Sequence, residues 1–452
     1  MKLFVKDREF YKALTAIAVP IALQNLITVS VSMMDTLMIG QLGEVQLSAT
    51  SIANQLWFIL MVLGFGVAGG ANVLIAQYWG KGDTPIIRRV MSMTYKIGLV
   101  TSVLFVFIAL LLPEQFMRIF TTEEAVIAYG VQYLKILGWS YPLYAMGNLT
   151  IIMLRSIGDV NISVVVYLTS LVVNTSLNYV LIFGKFGAPR LEVRGGAIAT
   201  LIARCFEFGI ATGYILLKEK RIKFSLRDLL PNNRDLYKKF ASISMPVVGN
   251  ELMWGVGTSI VAVVIGRMGT SFVAANSIYN VLNQFVSVAI FGVGNAALTI
   301  VGNTIGAGDY ERAKQRSVTF MALSFLFGIL SAGATLLLGP VVVGFYNLSA
   351  ETIAIASGIT KVGALIVFFQ SFAVISMVGV LRAGGDARFV LVCESLFLWG
   401  VAVPLGFLTG LWLHWPAVVV FLFLKCDEIL KSVVSFFRII SFKWLRDVTL
   451  HD

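Results

Sequence analysis

Charge is what this sequence has least of. Only 13% of its 452 residues are Asp, Glu, Lys or Arg, where soluble domains carry about 25%. With 58% apolar residues, the chain has too much to bury for a disordered protein. Cysteine is nearly absent, and Cys205, Cys393 and Cys426 fall in apolar segments without the paired spacing of a zinc or redox motif. That excludes a disulfide-stapled fold. Histidine is rarer still: His414 and His451 cannot build a metal centre or a Ser/His triad. No GxxxxGK[ST] string is present, which argues against ATP hydrolysis within the chain. The glycines and prolines are scattered without a collagen-like period.

What is there instead is apolar sequence in long runs, with a mean hydropathy of +0.86. Windows of about 20 apolar residues are long enough to cross a bilayer. Twelve of them centre near residues 26, 63, 101, 141, 173, 207, 253, 288, 328, 366, 400 and 427. The first run starts near Ala13, passes the length of a signal-peptide core and lacks a small-residue cleavage site. It reads as a retained helix, and the mature protein is expected to be the whole chain.

The net charge of +11 could point to nucleic acid, but its distribution points to membrane topology. With the N-terminus inside, the internal ends carry Lys2, Lys6, Arg8 and Lys12, then Lys81, Arg88 and Arg89, then Arg155. In the second half they carry Arg312, Lys314, Arg316, Arg382, Arg388, Lys443 and Arg446. The linker from Lys218 to Lys239 adds eight basic and three acidic residues on the same side. One external connection, with Lys185, Arg190 and Arg194, runs against the trend. The expectation is a multi-pass protein of a prokaryotic cytoplasmic membrane with both termini cytoplasmic.

The two sides of the linker repeat each other at an offset of 226 residues, half the chain. Pro20 falls on Pro246, Gly40 on Gly266, Gly43 on Gly269, Ser51-Ile52 on Ser277-Ile278 and Gly66 on Gly292. Gly80-Lys81-Gly82-Asp83 falls on Gly306-Ala307-Gly308-Asp309. Further on the offset is 227, where Leu154-Arg155-Ser156-Ile157-Gly158-Asp159 meets Leu381-Arg382-Ala383-Gly384-Gly385-Asp386. Six spans per half is an even number, so both halves enter the membrane in the same direction, related by an axis along its normal. The expected fold is an all-α polytopic membrane protein of twelve transmembrane helices in two six-helix lobes related by pseudo-two-fold symmetry. The N-terminal lobe covers 1–217, the basic linker 218–239, and the C-terminal lobe with a short tail 240–452.

An uncompensated charge at bilayer depth costs at least about 2.5–3.5 kcal/mol, so each one is a functional candidate. Asp35, in SVSMMDTLMIG, has no basic residue within a helical turn. A carboxylate out of water needs a proton, sodium or an organic cation to neutralise it. If those occupants compete or bias one two-state equilibrium, exchange is coupled. Glu251 lies five residues after Pro246, which frees a backbone carbonyl about one turn earlier. It is a candidate for substrate or ion binding, against a structural hydrogen bond.

Asn174 and Asn178 share a helix face, where amides coordinate ions or simply hold helices together. Gln24, Asn25, Gln284 and Gln370 carry the same two alternatives. Arg204 with Glu207, Asp427 with Lys431, and Lys425 with Glu428 are spaced as local neutralising pairs. Lys135, Lys361 and Glu394 are expected to snorkel. The two GxGD strings, at 80–83 and 306–309, match intramembrane aspartyl proteases, but each falls at an internal turn, where Gly and Asp are ordinary turn formers.

The spacing Pro20, then Asp35-Thr36-Leu37-Met38-Ile39-Gly40, then Leu42-Gly43 resembles the first-helix signature of multidrug and toxic compound extrusion (MATE) transporters. So do the Asn174–Gly184 segment, the two LRxxGD motifs and the basic linker. The likeness covers essentially the whole chain. It implies two lobes forming a V, a cavity opening alternately to either side, and export of cationic drugs in exchange for protons or sodium. It also implies that Asp35, with Asn174 and Asn178, is the ion-coupling site, a place for sodium as much as for a proton. Glu251, Gln284 and Gln370 become substrate-binding candidates, and Pro20 and Pro246 helix-bending ones. Relatives often carry aspartate where Asn178 stands, and an acid near Gln370 and Ser371, where this chain has none.

The expected function is therefore a secondary active antiporter for organic cations, with no cofactor besides the coupling ion and no enzymatic activity. Its partners are small cationic molecules and the bilayer, not nucleic acid, and a monomer is expected. The alternative is a flippase for lipid-linked saccharides of the wider superfamily. Flippases of that type usually have fourteen spans and a cationic cavity, whereas the locally unpaired charges Asp35 and Glu251 are negative. An intramembrane protease or lipid-modifying enzyme lacks its catalytic dyad.

Overall fold

A computed structural model of the chain describes residues 4–230, 234–346 and 349–449. Lys2, His451 and residues 231–233 of the linker lie outside them. The described residues are nearly all helical. The first half holds α1 (Arg8–Gly40), α2 (Glu44–Lys81), α3 (Thr84–Leu111), α4 (Pro113–Arg118), α5 (Glu124–Leu137), α6 (Ser140–Ser156), α7 (Asn161–Phe183) and α8 (Val193–Gly213). The second holds α9 (Arg234–Arg267), α10 (Thr270–Gly306), α11 (Tyr310–Gly344), α12 (Ala350–Val374), α13 (Ala387–Phe397), α14 (Val403–Phe407), α15 (Ala417–Leu424) and α16 (Cys426–Ile440).

Among the described residues, ten helices are long and apolar enough to cross a membrane, where the apolar runs mark twelve spans. The fourth and twelfth spans account for the difference, because each is broken into shorter helices. The fourth divides into α5 and α6 at Gly138-Trp139. Pro142, in the first turn of α6, has no N–H for the Gly138 carbonyl four residues back, so the helix restarts there. The twelfth divides at Lys425, whose backbone leaves the helical region (φ −120°, ψ 6°). The eleventh stays continuous but widens into π-turns at Leu398–Ala402 and Leu408–Trp412, flanking Pro404. The fold is thus an all-α polytopic membrane protein with six spans in each half of the sequence. α1 and α9 continue as helix through Pro20 and Pro246.

The chain packs as two compact units. One comprises Leu23–Asn72 and Thr84–Ser244; the other comprises the residues up to Ala22, Val73–Asp83, and those from Met245 onward. In the first, α8 packs against α5, α6 and α7, and α3 against α6, around a core that includes Phe105, Met117, Leu134 and Tyr141. In the second, α10, α11 and α12 pack on one another and α16 on α12. Apolar burial cannot drive such packing where lipid is equally apolar; close fit and interhelical hydrogen bonds do.

The LRxxGD motifs act as two-armed staples, one in each unit. In the first unit, Arg155 donates to the Gln24 amide oxygen at 3.0 Å, while Asp159 accepts from Arg221 at 2.8 Å and from the Tyr214 hydroxyl at 2.8 Å. In the second, Arg382 donates to Asn250 and Glu251, while Asp386 accepts from Arg438 at 2.8 Å. The arginine ties down the helix four or five residues past its proline, and the aspartate ties down an arginine near the end of that half's sixth span, Arg438 within α16 and Arg221 just beyond the span in the linker. The GxGD strings are turns, with Gly82 and Gly308 at φ 79° and 78°. Asp309 caps α11 by accepting the Arg312 N–H at 3.1 Å.

Two pairings differ from the spacing-based expectation. Glu394 does not snorkel: it is 8% exposed and accepts from Lys431 at 3.1 Å. Glu428 pairs with Lys431 at 3.1 Å, not with Lys425, because Lys425 sits at the break before α16 and leaves the helical face. Lys431 therefore has three carboxylates around one ammonium, Asp427 at 2.8 Å being the third.

Candidate ion-binding site

The end of α1 is polar on one side because Ser32, Asp35 and Thr36 interrupt its apolar run. Thr36 and Ser32 return their hydroxyls to backbone carbonyls four residues back, as isolated hydroxyls in a membrane helix must. Asp35 has no such local option and turns to α7. The Asn178 amide nitrogen donates to Asp35 Oδ1 at 2.5 Å and to Asn174 Oδ1 at 3.0 Å. Asn174 in turn donates to the Thr200 hydroxyl of α8 at 3.3 Å.

Asp35 and Asn178 each stand five residues before the end of their helix, and α7 closes at Gly184 in the left-handed region (φ 67°). Asn174 and Asn178 are 1% and 0% exposed, while Asp35 is half-buried. Asn178 Oδ1 is buried with no hydrogen-bond partner, as is the neighbouring Thr175 hydroxyl. A buried amide oxygen without a donor loses free energy unless something electropositive reaches it. The site is an anionic oxygen beside neutral, hard oxygens, with one of them unsatisfied.

Arg204 and Glu207 form the expected pair, at 2.6 Å, and the structure extends it. Ser170 donates to the other carboxylate oxygen at 2.5 Å, and the guanidinium stands 4.7 Å over the Tyr144 ring. Thr200, four residues before Arg204 on α8, was not singled out by sequence reasoning, although its spacing on the arginine's face was a usable signal.

Glu251, Gln284 and Gln370 belong to the other unit. Glu251 meets Arg382 at 2.8 Å, its side chain 22% exposed against 7% for the arginine. A carboxylate without a basic residue within a helical turn thus has its countercharge from the motif that follows span ten. Gln284 on α10 is exposed and Gln370 on α12 half-buried. Among the described residues, no three His, Cys, Asp or Glu side chains gather as a metal site.

The sequence repeat reappears in the match to known proteins. The family model described as MatE matches residues 20–180 and again residues 246–408, so its two matches begin at Pro20 and Pro246, one repeat apart. The chain is 25% identical to a probable multidrug resistance protein, NorM, of Thermotoga maritima, over 98% of its own length and 95% of that protein's. It is 24% identical to an uncharacterized transporter, YisQ, of Bacillus subtilis, over 91% of its own length and 90% of that protein's. Among solved structures, a Vibrio cholerae MATE transporter, VcmN, superimposes with a TM-score of 0.88 at 18% identity, covering 98% of this chain and 99% of that one. A MOP superfamily transporter from Pyrococcus furiosus gives 0.86 at 17% identity, covering 97% and 99%.

Proposed function

The chain belongs to the MatE family, and from that premise we propose that it is a secondary active antiporter that exports organic cations in exchange for protons or sodium. The observation that carries this reading is the Asp35–Asn178 contact beside the unsatisfied Asn178 Oδ1. A carboxylate held by a buried amide at bilayer depth has to be neutralised. A proton suffices, and sodium finds carboxylate and amide oxygens of the hard type it prefers.

The lobes are residues 1–217 and 240–452, joined by the linker 218–239, and they alternate access for a cationic substrate; that the substrate is a drug is supported by relatives named multidrug resistance proteins. Loading Asp35 and loading substrate bias the same equilibrium in opposite directions. Glu251 contributes negative charge to substrate binding in the C-terminal lobe, supported by Gln284 and Gln370. The protein works in a cytoplasmic membrane with both termini on the cytoplasmic side, as the distribution of basic residues supports.

The test is efflux of a fluorescent cation from proteoliposomes under a pH gradient alone and a sodium gradient alone, for the wild type and Asp35→Asn. Efflux driven by either gradient and stopped by Asp35→Asn upholds antiport through this site and names the ion. No movement of any cation tested under either gradient would sink the reading and move attention to lipid-linked substrates.

A further inference from the structure

The last described residues are tightly built into the second unit. Trp444 is fully buried, its indole N–H donating to the Ile439 carbonyl at 3.0 Å and its ring lying where Gly384 leaves room. The Arg446 N–H donates to the Gly384 carbonyl at 3.1 Å. On its other side the tail meets α2. Gln77, 0% exposed, donates to the Ala383 carbonyl at 2.7 Å and the Arg446 carbonyl at 3.1 Å. Its amide oxygen accepts the Val448 N–H at 2.7 Å. Both N–H groups and the oxygen of one side chain on α2 are thus committed to backbone from the far end of the sequence. Lys81 adds a long contact to the Thr449 carbonyl at 3.5 Å.

Gln77 sits in the crossing of α2 with α10, and the crossing obeys the sequence repeat. Gly80 packs against the Asn303 carbonyl and Gly306 against the Gln77 carbonyl, each where a Cβ would collide. Asn303, the repeat equivalent of Gln77, donates to the Ala76 carbonyl at 2.7 Å once its amide is oriented to satisfy its neighbours. The crossing is symmetric, but the tail's buried amide partner lies on α2, while beyond α10 the Tyr310 hydroxyl, at the start of α11, donates to Asp447 at 3.2 Å. The tail's hold is also asymmetric in kind. Toward α16 and the Gly384 turn it is anchored by a buried indole, which stays put; toward α2 it is held by hydrogen bonds that water can replace.

We propose that residues 444–449 are a clasp on the α2–α10 crossing, with Gln77 as its catch. The clasp rests on the alternating-access reading above: it releases α2 each time this end of the protein opens and re-forms when it closes. Trp444 keeps the tail in place against α16 and the Gly384 turn throughout.

The test is a cross-link between Ala76→Cys and Gly302→Cys, in a chain whose Cys205, Cys393 and Cys426 are replaced by serine. A Cβ at Gly302 stands 2.8 Å from Ala76 Cβ, so a small relaxation reaches the spacing of a disulfide. Oxidation in proteoliposomes should stop efflux and dithiothreitol should restore it. Gln77→Ala, and separately Val448→Pro, which removes the N–H that Gln77 accepts, should slow cross-linking roughly tenfold, the scale of losing one to three hydrogen bonds. Both variants leave Trp444 intact. Efflux that continues in the cross-linked protein, or wild-type cross-linking rates in both variants, would overturn the clasp. Cross-linking rates need no transport to be read: slowed rates in a chain that moves no cation would uphold the clasp and sink the antiport reading.

Discussion

Arg382 and Glu251, 131 positions apart in the chain, form an ion pair with Nη2 2.8 Å from Oε1, and Asn250 accepts from the same guanidinium nitrogen. The repeat supplies an internal control for this pair. Arg155 makes the equivalent contact with Gln24, and the residue matching Glu251 is the neutral Asn25. Anchoring the helix past its proline therefore needs an amide and an arginine, and the carboxylate is an addition in the second half.

From that comparison, Glu251→Gln should fold normally, with a stability change of about 1 kcal/mol or less. Arg382→Ala, which strands a half-buried carboxylate, should cost about 2–4 kcal/mol. Thermal unfolding of the purified variants compares the two, and equal losses would count against the assignment. In efflux assays Glu251→Gln should raise the KM for cationic substrates.

Asp35→Asn keeps the volume of the side chain but removes its charge. The variant should express and unfold like the wild type, and should lose gradient-driven efflux. Normal efflux by a well-folded Asp35→Asn protein would remove Asp35 from the coupling step.

Asn178→Ala deletes the donor shared by Asp35 and Asn174, so efflux should fall while the helix itself, with Ala in its interior, is undisturbed. Asn178→Asp sets a second carboxylate against the first, and the two cannot both stay charged without a shared proton or a bound cation. Adding sodium should therefore stabilise Asn178→Asp against heating more than it stabilises the wild type. A thermal-shift series in sodium against choline at constant ionic strength reads this directly.

Lys431 stands 4% exposed among Asp427, Glu428 and Glu394. Removing a buried charge partner costs about 3–5 kcal/mol. Lys431→Met should therefore depress yield and thermal stability severely, and Glu394→Gln in the same chain should restore part of the loss. No recovery in the double variant would mean that Lys431 matters for packing rather than for charge.

The twelve spans were legible because period and length of apolar sequence are local properties: about 20 residues cross a bilayer whatever they pack against. The repeat was legible too, since Pro20 and Pro246 or the LRxxGD pair need only be lined up. Asp35 stood out because a charge in an apolar run is costly wherever the helix goes, and Asn174 with Asn178 because four-residue spacing settles a shared face.

What each charge faces was decided only by the tertiary structure. Nothing in the sequence near Glu251 announces Arg382, and Lys425 looked as good a partner for Glu428 as Lys431 until the break before α16 turned it aside. The same holds for Gln77, one of five amide side chains on α2, whose three hydrogen bonds come from residues more than 300 positions away. Propensity and hydropathy are sums over neighbours in the chain, so the sequence by itself determined which segments enter the membrane and where charge is exceptional. An ion pair or a clasp is a coincidence in space between distant segments, and only the packed helices settle which coincidences occur.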